Sequence, residues 1–220
     1  MSATVVPPRT YRPAVLHNID WATYSHFLRL FAEKRFRHTY DRGRLEIMSP
    51  IHYEHENPAS LLGDFILVLT DELNLPRRSG RCMTLRSRKG QRGLESDNCY
   101  WIANAHRMRG KKGRYIFGID PSPDVSIEVE VSRTVLKRLN IYASLNIPEV
   151  WRFRKGKVTF SILRDGKYQV EPKSLSFPHL ASTDLTPFAA QFGDADDNTL
   201  VRQFRAWVKN QLPLWQAADA

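Results

Sequence analysis

Glu128 and Glu130 stand two residues apart in the run Pro123-Asp-Val-Ser-Ile-Glu-Val-Glu130. In an extended strand successive side chains point to opposite faces. Asp124, Ser126, Glu128 and Glu130 then share one face, and Val125, Ile127, Val129 and Val131 share the other. Carboxylates so spaced can meet one hard cation, which takes oxygen ligands. Lys137 and Arg138 follow closely. Acids on a strand with cations beside them are what metal-dependent phosphodiester cleavage requires. The same residues also fit a half-buried antiparallel strand whose polar face meets water. Asp97 precedes an aromatic-rich stretch and could cap a turn or add a metal carboxylate. Glu46, between Leu45 and Ile47, could hold a metal or a water on a concave face, or be a plain exposed strand residue. His52 and His55 have no further His or Cys at a zinc-ligand spacing.

These residues need elements to position them. Residues 1–19, with Pro7, Pro8 and Pro13, read as an extended arm. Asp20 can cap a helix whose apolar stripe is Trp21, Tyr24, Phe27, Leu28 and Phe31. A turn at 41–43 leads into a strand at 45–48. Asn57 as cap and Pro58 in the first turn open a helix carrying Leu61, Leu62, Phe65, Ile66, Leu69 and Leu73. His55 lies just before it, where a helix N-terminus favours an anion. Strands are expected at 79–88 and 95–102, with Asp97, Cys99 and Trp101 on one face. After the strand at 123–131 come a helix at 134–145 and a strand at 149–153. A hairpin follows, 157–163 and 168–170, turning at Asp165-Gly166. A loop at 177–184, a short helix at 185–191, an acidic linker from Gly193 and a helix at 198–215 complete the chain.

Charge points to a partner. Lys and Arg number 33 against 23 Asp and Glu, a net +10 in 220 residues. Between Arg77 and Arg114 there are twelve basic residues and two acidic ones, so this stretch alone equals the whole excess. Arg107, Arg109, Lys111, Lys112 and Arg114 are its densest part. Such clusters bind phosphate backbones without reading bases. Two cysteines, Cys82 and Cys99, are too few for a disulfide framework. The N-terminus lacks the apolar core of a signal peptide, and no apolar run approaches the ~18 residues of a membrane span. A reduced, cytoplasmic protein with no membrane partner is the expectation.

Several pieces in one order resemble the Uma-type restriction endonuclease family. They are Gly43-Arg-Leu-Glu-Ile-Met-Ser-Pro50 followed by His55, then Gly93-Leu-Glu-Ser-Asp-Asn-Cys-Tyr100, then Pro123 to Glu130, then Arg138 with Tyr142, and Ile147-Pro-Glu-Val-Trp151. The resemblance covers roughly residues 20 to 190. It implies an α/β fold of the restriction-endonuclease type, a mixed sheet flanked by helices, here with a C-terminal hairpin. The corresponding domain spans 20–192, with the arm before it and 193–220 as linker and final helix. By the same resemblance Asp97 is the first metal acid and Glu128 the second, on neighbouring strands. Glu46 and His55 become supporting residues. The wider superfamily has a lysine where this chain has Glu130, and the family pattern has one where it has Arg138. Arginine can stabilise a pentavalent phosphate but does not serve as a general base.

The expectation is therefore Mg2+- or Mn2+-dependent hydrolysis of DNA. Asp97 and Glu128 hold the metal, with Glu130 or a carbonyl completing the shell. Arg138 or Lys137 offsets transition-state charge. The basic cluster and His55 hold the backbone, in a monomer or a homodimer. Two other readings stay open: a nucleic-acid-binding module of the same fold that does not cleave, and a protein-interaction domain with an acidic partner.

Overall fold

Two sheets share this chain, and the carboxylates lie at the seam between them. A computed structural model of the protein describes residues 13–31, 37–48, 53–130 and 136–218, with 53–56 described by backbone alone. The first sheet is antiparallel. It contains β1 (Ala14–Leu16), β2 (Arg37–Asp41), β3 (Arg44–Met48), β5 (Thr84–Ser87) and β6 (Arg92–Glu95), in the order β1-β3-β2-β6-β5. The second contains β4 (Arg78–Ser79), β7 (Asn98–Trp101), β8 (Val125–Val129), β9 (Glu149–Arg154), β10 (Lys157–Arg164) and β11 (Lys167–Glu171), in the order β11-β10-β9-β8-β7-β4. It is mixed: β8 runs parallel to β9 and antiparallel to β7. The helices are α1 (Trp21–Leu30), α2 (Tyr53–Glu72), α3 (Arg138–Ser144), α4 (Ser182–Ala189) and α5 (Asp197–Ala218), with a 3-10 turn at Ala105–Met108. None of the described helices is long and apolar enough to cross a membrane.

Apolar spacing explains the layers. Asp20 accepts from the Thr23 amide at 2.7 Å and starts α1. Tyr24 of α1 stacks on Tyr40 of the first sheet, with ring centroids 4.3 Å apart. On the other face of that sheet Leu85 and Leu94 cluster with Ile141 and Tyr142 of α3 and with Leu145, which ends it. The helix is thus sandwiched between the two sheets. Beyond the second sheet, Leu62, Phe65, Ile66 and Leu69 of α2 pack on Val125, Ile127 and Val129. Phe204 of α5 stacks on Phe65 at 4.3 Å, so the C-terminal helix belongs to this core. Phe65, fully buried, is the kind of side chain whose truncation to Ala costs about 3–5 kcal/mol.

The structure corrects several sequence expectations. The end of the proline-rich arm pairs with β3 as β1. The stretch 79–88 is not one strand, since β4 and β5 belong to different sheets. Nor is 95–102: β6 ends at Glu95 and β7 starts at Asn98 across the seam. Tyr53 already lies in α2, so Asn57 does not cap it. Its amide instead donates to Asp197 at 3.0 Å and ties α2 to the start of α5. Glu46 is fully buried rather than exposed. Both faces of β8 are buried, because α3 and the first sheet cover the polar one.

Candidate active site

Asp97 lies between the sheets, immediately before β7. Asn98 pairs with Ile127, so the next step of that antiparallel register sets Asp97 opposite Glu128. The Val129 amide donates to Asp97 Oδ2 at 2.7 Å, which fixes the carboxylate against β8. Glu128 projects from the face of β8 opposite Ile127 and Val129. From the first sheet, Arg37 and Thr39 project from one face of β2, and Glu46 pairs with Thr39 across β3. From between the sheets, α3 brings Arg138 at its first residue and Tyr142 one turn later.

These side chains meet. Arg37 Nη2 donates to Glu128 Oε1 at 2.9 Å and also pairs with Asp97 Oδ1. Arg138 donates to Glu128 Oε2 at 2.9 Å, to the Thr39 hydroxyl at 2.7 Å and to the Glu95 carbonyl at 2.6 Å. The Tyr142 hydroxyl donates to Glu128 Oε2 at 2.9 Å. Burial pushes both carboxyls up, but with different outcomes. Burial dominates at Asp97, with Arg37 opposing and Glu128 adding, and lifts it to about 7. At Glu128 the charges of Arg138 and Arg37, with hydrogen bonds from Arg138 and Tyr142, outweigh burial and hold the carboxyl below its usual range. Burial would weaken the Arg138 cation, but Glu128 first, then Tyr142 and Asp97, push its pKa up. Burial and the Glu128 charge do the same to Tyr142. The two carboxyls are thus pushed apart, Asp97 toward holding its proton and Glu128 toward releasing it.

The cluster opens on a cleft of about 730 Å³ between α2 and the 77–82 segment. Asp97, Glu95, Asn98, Asp64, Arg77 and Arg81 are among its walls. Arg77 lies over the Tyr100 ring, 5.6 Å from its centroid. Burial, then the Asp197 charge, raises Asp64, with Arg77 opposing.

Other candidates lie elsewhere. Lys137 is exposed at the start of α3. Glu130 follows β8 and accepts from Arg152 Nε at 2.7 Å, and Arg152 pairs with Glu128 across the β8–β9 register. Glu46 accepts from the Leu136 amide at 3.2 Å. Arg107, Arg109, Lys112 and Arg114 are exposed, and Lys111 pairs with Asp120 at 2.8 Å. These cations follow the far end of β7, roughly 13 Å along the strand from Asp97 at about 3.3 Å per residue. The His55 side chain lies outside the described residues. Sequence reasoning missed Arg37 and Thr39. Their signal was the alternation Arg37-His-Thr-Tyr40 facing the 44–48 strand across a tight turn.

Could this cluster take a divalent cation? Asp97 Oδ1 and Glu128 Oε1 converge on a single nitrogen, and carboxylate oxygens are the donors such an ion prefers. The donor type fits, although Arg37 holds the point of convergence. Among the described residues no group of three or more His, Cys, Asp or Glu is arranged to hold a metal, so among them Asp97 and Glu128 stand as a pair.

Residues 24–193 match the family model Uma2, described as "Putative restriction endonuclease". No curated protein matches the chain. Among solved structures, the chain is similar to one described as a "putative nuclease belonging to DUF820 from Anabaena variabilis ATCC 29413". The TM-score is 0.48 at 20% identity, over 69% of this chain and 90% of that one.

Proposed function

The chain belongs to the Uma2 family, described as putative restriction endonucleases, and from that premise we propose that it is a metal-dependent endonuclease hydrolysing phosphodiester bonds of DNA. The observation that supports this reading best is the convergence of Asp97 and Glu128 beside a cleft lined by arginines. Asp97 and Glu128 would hold a magnesium or manganese ion. When bound, such an ion supplies an acidified water and offsets charge on the phosphate.

The protein's own groups do the rest. Arg138 is tied to Thr39, Glu95 and Glu128, so it acts through Glu128 as a positioning residue, keeping that carboxylate ionised and aimed. Tyr142 holds the same oxygen. Arg77 and Arg81 line the cleft beside Asp97 and take backbone phosphates. The exposed cations from Arg107 to Arg114 extend that surface. Glu130 is held by Arg152, so in this reading Asp97 and Glu128 are the metal acids.

One observation favours a second reading, a binding module that does not cleave. Both cations described in the cluster are arginines, which stay protonated and supply no general base. A single experiment separates the two readings. Plasmid DNA, single-stranded DNA and RNA are incubated with the protein and Mg2+, Mn2+ or EDTA, beside Asp97→Asn. Cleavage that needs metal and falls at least about 100-fold in the variant supports the endonuclease. Salt-sensitive binding with no cleavage of any substrate supports the module. Cleavage that survives both EDTA and Asp97→Asn overturns the proposed site.

A further inference from the structure

Arg37 is bound where a metal would have to go. One of its guanidinium nitrogens meets both Asp97 Oδ1 and Glu128 Oε1, the two oxygens that the metal reading needs. Its side chain is 10% exposed, and those of Asp97 and Glu128 are 3% and 5% exposed. In so buried a place a cation and a guanidinium cannot share one point. Formal charge gives the same answer. With both acids ionised, as metal ligation requires, Asp97 and Glu128 against Arg37 and Arg138 sum to zero. Adding a divalent ion would leave +2 in a site removed from water, which is strongly disfavoured. With Arg37 withdrawn the sum is +1. Arg138 cannot make room instead, since Thr39 and the Glu95 carbonyl also hold it. Arg37 comes from the opposite sheet to both acids, so its withdrawal leaves the paired strands β7 and β8 that set them side by side.

We propose that Arg37 is a positioning residue of the site, a resident counter-cation that a divalent metal must displace. This rests on the endonuclease reading. Arg37 holds the two carboxylates at one-ion separation in the metal-free protein. It also sets the metal concentration at which the site fills, because every ion bound must first break the Arg37 bridge. A purely structural arginine would support metal binding, and its loss would weaken it. A competing one does the opposite.

The test uses the full chain and Mn2+ alone, with free Mn2+ read by electron paramagnetic resonance and melting followed with and without the ion. Arg37→Gln should bind Mn2+ at least about tenfold more tightly than wild type, equivalent to about 1.4 kcal/mol. It should also melt lower without metal and gain more on adding it. Arg37→Met serves if Arg37→Gln does not fold. Arg37→Lys keeps a cation but holds it on a different stem, so Arg37→Met is the decisive second variant: its side chain donates to neither oxygen, and it should also bind Mn2+ more tightly than wild type. Equal or weaker binding in either folded variant overturns the proposal. Asp97→Asn identifies what has failed. If it loses Mn2+ binding while the Arg37 variants match wild type, the acidic site stands and the displacement falls. If it binds like wild type, the ion is not at the acid pair, and both readings fall.

Discussion

Asp97 and Glu128 share an arginine but not an acidity, and that difference can be measured in the protein without metal. Burial lifts Asp97 to about 7 from 3.8. The folded state therefore binds this proton more tightly than the unfolded chain between those values. The resulting stability is fully present below about pH 4 and is lost as pH rises through about 7. Glu128 has the opposite sign: its contribution is present above its unfolded value and is lost as pH falls. In Asp97→Asn the Asp97 contribution cannot change with pH. The melting temperature of the variant relative to wild type should climb steadily from pH 4 to 7 and then level off. A flat difference would mean that Asp97 titrates as an ordinary surface acid. Tyr142→Phe removes one buried donor from Glu128 and should cost about 1–2 kcal/mol in urea unfolding. An unchanged midpoint would mean that the hydroxyl does not hold Glu128. Of this cluster, strand alternation pointed to Glu128, and family resemblance to Asp97 and Arg138. For Arg37 the local alternation of 37–40 could mark a strand but not its partner, since Glu128 lies 91 residues away.

Elements hold the cluster from two sides, and the first sheet is closely fitted. A Cβ added at Gly93 on β6 would come 2.5 Å from the Tyr24 hydroxyl and 2.9 Å from Arg86 Cβ. Tyr24 has no room to retreat, being fully buried with its hydroxyl 3.0 Å from His38 Nε2. Gly93→Ala should therefore cost about 1–3 kcal/mol by overpacking, with β2 and Arg37 disturbed along with it. A melting temperature within a degree of wild type would refute this. The elements themselves were unevenly legible. The helix now seen as α2, the strand β8, the hairpin β10–β11 and the helix α5 carry long or regular apolar patterns, and their periods were readable. The strands at 79–88 and 95–102 were read as continuous because alternation reports which face a side chain takes and is silent on which sheet it joins. β2 went unread because Arg37-His-Thr-Tyr-Asp41 carries polar residues on a face that only the assembled protein buries.

At the scale of the whole molecule, the basic run from Arg77 to Arg114 divides. Arg92 is committed to Asp41 at 2.8 Å, and Arg86 donates to Ser25 at 3.3 Å and lies over the Trp21 ring. Arg77 and Arg81 face the cleft. Formal charge along the sequence thus overstates the surface open to a polyanion. Removing Arg77 and Arg81 together should flatten the dependence of log affinity on log salt by about 1.8 on duplex DNA, read by fluorescence anisotropy between about 50 and 200 mM salt. Replacing Lys112 and Arg114 should flatten it by a similar amount while leaving metal-dependent cleavage of bound DNA less affected than the cleft pair does. An unchanged slope in the first variant would show that the cleft does not take phosphates.

The handover between sheets also sets where this protein can vary in length. Only Ser96 and Asp97 separate β6 from β7. One extra residue there has no loop to absorb it. It must slip β6, which moves Leu94 from its buried face, or slip β7, which carries the acid out of register with Glu128. The loop around Gly110 and Gly113 is the reverse, since a side chain added at either meets nothing within 4 Å. A glycine inserted after Gly113 should leave melting and metal binding as they were, whereas the same glycine after Ser96 should abolish Mn2+ binding even where the chain still folds. Natural length variation among proteins built this way should accordingly gather in the distal loop and be absent from the two-residue joint.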